Sequence, residues 1–304
     1  MSKNEPEEWM EELGAGNGMK VALLSHNRPD YLKQVIDSIK QQTYQDGMDI
    51  HFFQDGCINA YSWRKTANQS DITKCLNMFK ENFPSGKVYE SKSNIGICEN
   101  WRFAEHTMFN ELNATEVLFL EDDLVLSKYY FETISNMFDE FRDDPSIGMF
   151  NAYGECKENK EPIRTTMKSM GHLWSYGTTK KSWEQRQDFF NEYCELVEGT
   201  DYAFRPVKEI YELYDNYGAN PLVAHSQDGA KCISMMLCGQ IKISPSCNLA
   251  KYIGAQGFHA TPMFYNKMGF GDMPVYEEGP LTKFKTDKEA IRKKLHTKYM
   301  EKEI

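Results

Sequence analysis

The stretch Leu118-Phe119-Leu120-Glu121-Asp122-Asp123-Leu124 decides how the rest of this chain is read. An apolar run of strand length ends in three consecutive acids, and apolar residues resume at once. A buried strand normally stops at turn residues. This one stops at carboxylates that nothing nearby in sequence neutralises. Capping a helix or a turn usually takes one acid, so three at the tip of an apolar strand suggest a place for a cation. Oxygen-only ligands suit hard ions such as Mg²⁺ and Mn²⁺. The competing reading is a solvated turn with a helix N-terminus behind it, which also favours acids.

The whole chain bounds the possibilities. Its 304 residues suffice for one large domain or two small ones with a full hydrophobic core. A formal net charge of -10 argues against a protein that grips nucleic acid through its overall field. No run of about 18 apolar residues is present, so no membrane span is expected. Residues 1 to 10 are acidic and hold no apolar signal region. The eight cysteines contain no C-x-x-C pair, so they read as reduced thiols rather than a disulfide framework or a zinc site. These points lead to the expectation of a cytoplasmic protein.

Outward from the acidic stretch, the first half alternates strands and helices. Residues 19 to 25 (MKVALLS) read as a strand, and Pro29 stands near the start of a helix whose apolar residues Leu32, Val35, Ile36 and Ile39 keep helical spacing. Residues 48 to 53 form a second strand ending in Gln54-Asp55-Gly56, which completes a βαβ unit with a right-handed crossover. A helix over 72 to 83, a strand over 87 to 90, the Ser93-Asn94-Ile95-Gly96 turn and a helix over 98 to 112 follow, then the strand that delivers the acids. A helix over 128 to 141 and a strand over 147 to 150 complete this half. Asp55 and the triplet both fall at strand C-terminal ends, the edge where open α/β sheets bind ligands. Asn94 and Gly96 let the backbone approach a ligand closely.

The second half is less regular. Residues 171 to 182 are rich in glycine and aromatics, segments 189 to 193 and 206 to 214 look helical, and Gln227-Asp228 opens a helix over 230 to 238. A strand over 241 to 244 precedes a loop from Leu249 to His259, and a charged helix spans 283 to 303. The expected organisation is a tail over 1–18, a regular half over 19–150, a less regular half over 151–282 and a surface helix over 283–304. Together they form one α/β domain with a mostly parallel sheet flanked by helices.

In this order the motifs resemble the nucleotide-sugar-dependent glycosyltransferases of the GT-A fold. The match is best to the large family whose first strand runs into a Tyr/His-Asn-Arg-Pro-x-x-Leu turn, here Ser25-His26-Asn27-Arg28-Pro29-Asp30-Tyr31-Leu32. The family's Asp-Asp-Gly appears as Gln54-Asp55-Gly56, its Asn-x-Gly as Asn94-Ile95-Gly96 followed by Asn100 and Arg102, and its Asp-x-Asp as Glu121-Asp122-Asp123. The form Leu-Glu-Asp-Asp-Leu looks like that of inverting N-acetylglucosaminyltransferases. Trp174 to Trp183, Gln227-Asp228 and Ile253 to His259 match further family segments, so the resemblance covers residues 19 to 262.

The resemblance implies a nucleoside-diphosphate sugar donor, UDP by family habit, with Mn²⁺ or Mg²⁺ on the diphosphate. Asp123 would be the direct metal ligand, Asp122 would contact the ribose or a metal-bound water, and Glu121 is the member of the triplet to give up first. His259 fits as a further ligand, against a buried imidazole as the alternative. Asp55 would accept a hydrogen bond from the base. Ser25, His26, Asn27 and Arg28 would line the nucleoside pocket through their backbone, with Asn94 and Gly96 nearby. Arg102 would reach a phosphate, or else pair with Glu99 or Glu105. Trp174 and Tyr176 would stack on sugar, or else pack in the core. Asp228 would be the general base that deprotonates the acceptor hydroxyl, with helix capping as its rival role. The expected acceptor is a glycan or lipopolysaccharide hydroxyl, and a modified DNA base is the lesser alternative. A nucleotidyltransferase is disfavoured because the turn after the first strand lacks a glycine-rich phosphate loop. A non-catalytic nucleotide-sugar-binding module is disfavoured by an intact candidate base.

Overall fold

Apolar runs such as Val-Ala-Leu-Leu can be buried on both faces, and that is how this chain uses them. In the computed structural model, which describes residues 19–44, 48–157, 164–256 and 261–301, β1 (Lys20–Ser25) is buried along all but its first residue. Helix α1 (Pro29–Lys40) starts on Pro29 and turns Leu32, Val35, Ile36 and Ile39 inward. Then come β2 (Asp49–Gln54), α2 (Gln69–Asn82), β3 (Lys87–Glu90), α3 (Gly96–His106), β4 (Glu116–Glu121), β5 (Leu124–Leu126), α4 (Tyr130–Phe141) and β6 (Ile147–Phe150). The second half adds β7 (Met167–Ser169), β8 (Ser175–Thr179), α5 (Lys180–Gln185), α6 (Gln187–Val197), α7 (Val207–Asn216), α8 (Gln227–Leu237), β9 (Ile241–Pro245), β10 (Ala250–Tyr252), α9 (Pro262–Met268) and α10 (Lys288–Tyr299).

One large sheet runs in the order β3-β2-β1-β4-β8-β6-β9-β7. Strands β3, β2, β1 and β4 are mutually parallel, and so are β6 and β9. Strand β8 runs antiparallel to both β4 and β6, and β7 runs antiparallel to β9. This is an α/β domain with a central sheet flanked by helices. The chain steps outward from β1 through β2 to β3, then returns to the other side of β1 with β4. The reversal makes a topological switch point between the C-terminal ends of β1 and β4, where open α/β sheets place their ligands. Ser25 and the acidic triplet stand on its two sides.

Among the elements that differ from the sequence expectation, two bear on the site. The glycine- and aromatic-rich segment after 171 supplies β8, an interior strand. It carries no apolar run because its buried positions are Ser175, Tyr176, Gly177 and Thr178. Gly177 is required there by packing, since a Cβ would meet the Phe150 ring at 2.6 Å. The segment after Leu249 begins as β10, which pairs antiparallel with β5. This small ribbon clamps the chain just past the acids.

Candidate functional site

Strand β4 carries Glu121 to the edge of the sheet, and the backbone then turns so that Asp122 and Asp123 are both buried. Asp122 Oδ2 accepts hydrogen bonds from Ser25 Oγ at 2.9 Å and from the His26 amide at 3.3 Å. The Arg28 guanidinium lies across both acids, donating from Nη1 to Asp123 Oδ2 at 2.7 Å and from Nη2 to Asp122 Oδ1. Burial opposes the guanidinium's charge, but Asp122, Asp123 and Glu121 outweigh it and hold the group above its ordinary value. The family-like turn after β1 therefore meets the acidic turn after β4 through a side chain. Sequence reading assigned only backbone to Arg28.

Asp123 remains incompletely satisfied. Its Oδ1 is buried with no hydrogen-bond partner among the described residues. Its carboxyl is pushed up to about 6, first by burial, with Arg28 offsetting part of the rise and Asp122 adding to it. Glu121 is pushed well above the usual carboxylate range, first by burial and then by the charges of Asp123 and Asp228. Four acids from β4, its following turn and α8 thus share one field, and Arg28 neutralises only part of it. A further cation at this point is electrostatically favourable. Among the described residues no group of three or more His, Cys, Asp and Glu side chains gathers around one point. The donor set still suits Mg²⁺ or Mn²⁺, since such ions take one or two carboxylates and complete their shell with phosphate oxygens and water. Asp123 Oδ1 is the oxygen available for that role. His259 lies outside the described residues.

The cradle behind Asp123 is tight. The Ile253 amide donates to the Asp123 carbonyl at 2.9 Å. A Cβ at Gly254 would fall 2.5 Å from Asp123 Oδ2 and against the Tyr252 hydroxyl. Gly254→Ala is therefore expected to lower stability by about 1–3 kcal/mol, read as a lower urea midpoint. An unchanged midpoint would show that Tyr252 swings aside freely.

Asp55 is buried, and its oxygens are occupied. Oδ1 accepts from the Gly56 and Ile95 amides at 2.8 Å each, and Oδ2 accepts from Asn94 Nδ2 at 2.6 Å and the Gly96 amide at 3.1 Å. Burial raises its pKa and these backbone donors offset part of the rise. In this geometry the carboxylate holds the turn that starts α3, and a base would have to compete with four donors for it. His26 Nε2 lies 3.1 Å from the Gly56 carbonyl and 3.3 Å from Thr66 Oγ1, and Asn27 Nδ2 reaches the Thr66 carbonyl at 3.5 Å.

Asp228 sits in the first turn of α8 with an exposed side chain. The cap is Ser226, whose Oγ accepts from the Gly229 amide at 3.4 Å, so Asp228 is not needed for it. Gln227 Nε2 donates to Asp228 Oδ1 at 2.5 Å. Arg102 pairs with Glu198 at 3.7 Å and stands on the outer side of α3. Trp174 is stacked by Tyr252 with centroids 3.6 Å apart and by His172 at 4.2 Å. Two rings so nearly centred over one indole cannot share a side, so both faces of Trp174 are covered by protein. Phe270 meets it edge-on at 5.2 Å. The segment's Tyr176 is fully buried.

Sequence reading missed a buried charge cluster behind the site. Lys231, one turn along α8 from Asp228, donates to Glu105 Oε1 of α3 at 2.8 Å and to Tyr176 Oη at 3.0 Å. Tyr176 Oη also donates to Glu105 Oε1 at 2.6 Å, and Trp183 Nε1 donates to Oε2 at 3.3 Å. No local pattern announces such a cluster, because its members come from α3, β8, α5 and α8. A groove of about 790 Å³ runs along α1 and α2, and Asn27, Arg28 and Gln256 are among its lining residues. No helix among the described residues is long and apolar enough to cross a membrane.

No family model and no curated protein matches this chain. Among solved structures it is similar to residues 1–349 of S. aureus TarS, with 10% identity over 83% of this chain and 63% of that one and a TM-score of 0.44. Against the longer TarS structure it spans 43% of that chain, at 10% identity over 73% of this one and a TM-score of 0.42. It is also similar to the galactosyltransferase LgtC, solved with donor and acceptor sugar analogues, at 11% identity, 86% and 98% coverage and a TM-score of 0.37. A cytidylyltransferase from Leptospira borgpetersenii matches at 10% identity, 64% and 72% coverage and a TM-score of 0.34.

Proposed function

We propose that this chain is a metal-dependent inverting glycosyltransferase that moves a sugar from a nucleoside diphosphate, UDP in the first instance, to a glycan hydroxyl. The observation that carries this reading is the switch-point site itself. Buried Asp122 and Asp123 face Arg28 there, and one Asp123 oxygen is left without a donor among the described residues. A diphosphate leaving group needs positive charge as its bond to the sugar breaks. Arg28 can supply a bidentate fork by exchanging carboxylate for phosphate oxygens. When bound on Asp123, Mn²⁺ or Mg²⁺ would neutralise further charge on the same diphosphate.

The acceptor oxygen attacks the anomeric carbon and the bond from that carbon to the phosphate oxygen breaks. The hydroxyl proton passes to the Asp228 carboxylate, and the nucleoside diphosphate leaves with the electron pair. Asp228 fits this step because it is exposed to an incoming hydroxyl and contributes to the same field as Glu121. Glu121, held toward its neutral form, is the weakest candidate for a ligand. The base pocket falls to the His26–Arg28 turn and the Asn94–Gly96 turn, with Asp55 bracing the second. Trp174 supports Tyr252 behind the acids.

Calorimetric titration of UDP, GDP, CDP and TDP with and without Mn²⁺ tests this reading. Nucleotide binding is expected to depend on the metal. Asp123→Ala is expected to weaken it by at least the ~10–100-fold that losing a supporting residue costs a metal site. Binding of no nucleotide, or unaltered binding in Asp123→Ala, would overturn the proposal.

A further inference from the structure

Away from the acids, two large aromatic side chains stand almost free in solvent. Trp63 is 79% exposed and Phe204 is 71% exposed. Trp63 also has a φ of 59°, a left-handed conformation that a bulky side chain adopts at a cost. The loop that carries it is firmly built. Asn59 Oδ1 accepts from the Tyr61 and Ser62 amides at 3.0 Å each, and the Trp63 amide donates to the Asn59 carbonyl at 3.1 Å. The fold therefore holds an exposed indole in a strained backbone conformation that packing does not require.

Both rings lie next to a clasp that joins the loop after β2 to the loop after α6. Arg64 makes a fork to Asp201, from Nε at 3.0 Å and Nη2 at 3.1 Å, and Ser62 Oγ donates to the same carboxylate at 2.6 Å. The Arg64 guanidinium lies 5.7 Å from the Phe204 ring centroid. On one side the loop is seated on the donor cleft, with Asn59 Nδ2 donating to Asn94 Oδ1 at 3.2 Å and Thr66 beside His26. On the other side Tyr202, next to Asp201, accepts the Gln227 amide on its hydroxyl at 2.6 Å, one residue from Asp228. The rim thus bridges the nucleotide side and the candidate base.

We propose that Trp63 and Phe204 form an acceptor subsite for an oligosaccharide. This rests on the transferase reading above, because the reducing or non-reducing end of that glycan must reach Asp228. Sugar rings present C–H faces that stack on aromatic side chains, while their hydroxyls exchange hydrogen bonds with polar neighbours. Arg64 spends its charge on Asp201, and exposed Lys65 beside it leaves a donor for the hydroxyls of a sugar. Separate rings beside a polar clasp also differ from the apolar core of a stable protein interface.

The test uses the full chain and its Trp63→Ala, Trp63→Tyr and Phe204→Ala variants. Each is titrated calorimetrically with chitotetraose, maltotetraose, cellotetraose and mannotetraose, and separately with UDP and Mn²⁺. At least one tetrasaccharide is expected to bind the wild type, tenfold or more weaker in Trp63→Ala and several-fold weaker in Phe204→Ala. Trp63→Tyr should recover part of the loss, and UDP affinity should stay within twofold throughout. The subsite is overturned if no tetrasaccharide binds the wild type while UDP does, or if the variants bind as the wild type does. It is also overturned if sedimentation shows a wild-type dimer that Trp63→Ala dissolves. Failure of UDP to bind the wild type would instead overturn the transferase reading.

Discussion

Replacing Asp228 by asparagine is expected to slow sugar transfer by about 10²–10⁴-fold, the usual contribution of a positioned general base, while nucleotide affinity stays unchanged. The separation of the two effects follows from where the residue sits. The Asp228 side chain is exposed and contacts Gln227, and Ser226 rather than Asp228 caps α8. Asparagine keeps the shape and the contact with Gln227 but cannot take a proton. Single-turnover transfer beside calorimetric UDP binding reads both quantities. Transfer at the wild-type rate would remove Asp228 as the base, and a large loss of UDP affinity would make it part of the donor site instead.

The second large effect lies in the interior. Lys231→Met is expected to destabilise the fold by about 3–5 kcal/mol, because it strands Glu105 in the core. Both side chains of the pair are 2% exposed. In the intact protein burial alone would raise the Glu105 carboxyl, but Lys231, Arg186 and the Tyr176 hydroxyl reverse this and hold it below its ordinary value. A depressed carboxylate contributes stability above its unfolded pKa of about 4.3 and loses it as the pH falls through the lower folded value. Without Lys231 the burial effect gains, so the variant carries a carboxylate that prefers to be protonated. Its deficit against wild type should therefore be larger at pH 8 than at pH 5. Urea midpoints at the two values check the sign. Adding Glu105→Gln to Lys231→Met should recover much of the loss, since the remaining donors of Tyr176 and Trp183 keep an acceptor.

The elements that sequence reading found are those whose burial is written as composition. Strands β1 and β4 are apolar between their first and last residues, β2 carries the buried Ile50, Phe52 and Phe53, and α1 shows its inner face in Leu32, Val35, Ile36 and Ile39. Strand β8 was not legible because its buried residues are small or polar and are chosen by what lies above them, as Gly177 is by Phe150. The same division runs through the site. The acids and the Asn-Arg-Pro turn could be picked out as local motifs, and the sheet order then sets them side by side. What each side chain does was not local information. Arg28 meets carboxylates about ninety residues away, Trp174 spends both ring faces on His172 and Tyr252, and Asp55 is consumed by its own turn. Glu105 was read as a candidate partner for Arg102 on the same helix, yet it pairs with Lys231 of α8 while Arg102 reaches Glu198.

The insertion of β8 between β4 and β6 bears on how the polypeptide is made. Strand β4 has β1 on one side, and its other edge is completed only by residues 175–179. While synthesis proceeds from the N-terminus, a ribosome-bound intermediate that has released only the first half presents the open edge of Val117, Leu118, Phe119 and Leu120. Such an edge recruits stray strands. The Ser-Tyr-Gly-Thr-Thr segment closes that edge once it pairs, and the Glu121 amide then meets the Trp174 carbonyl, so the strand that bears the acids is completed from the second half of the chain.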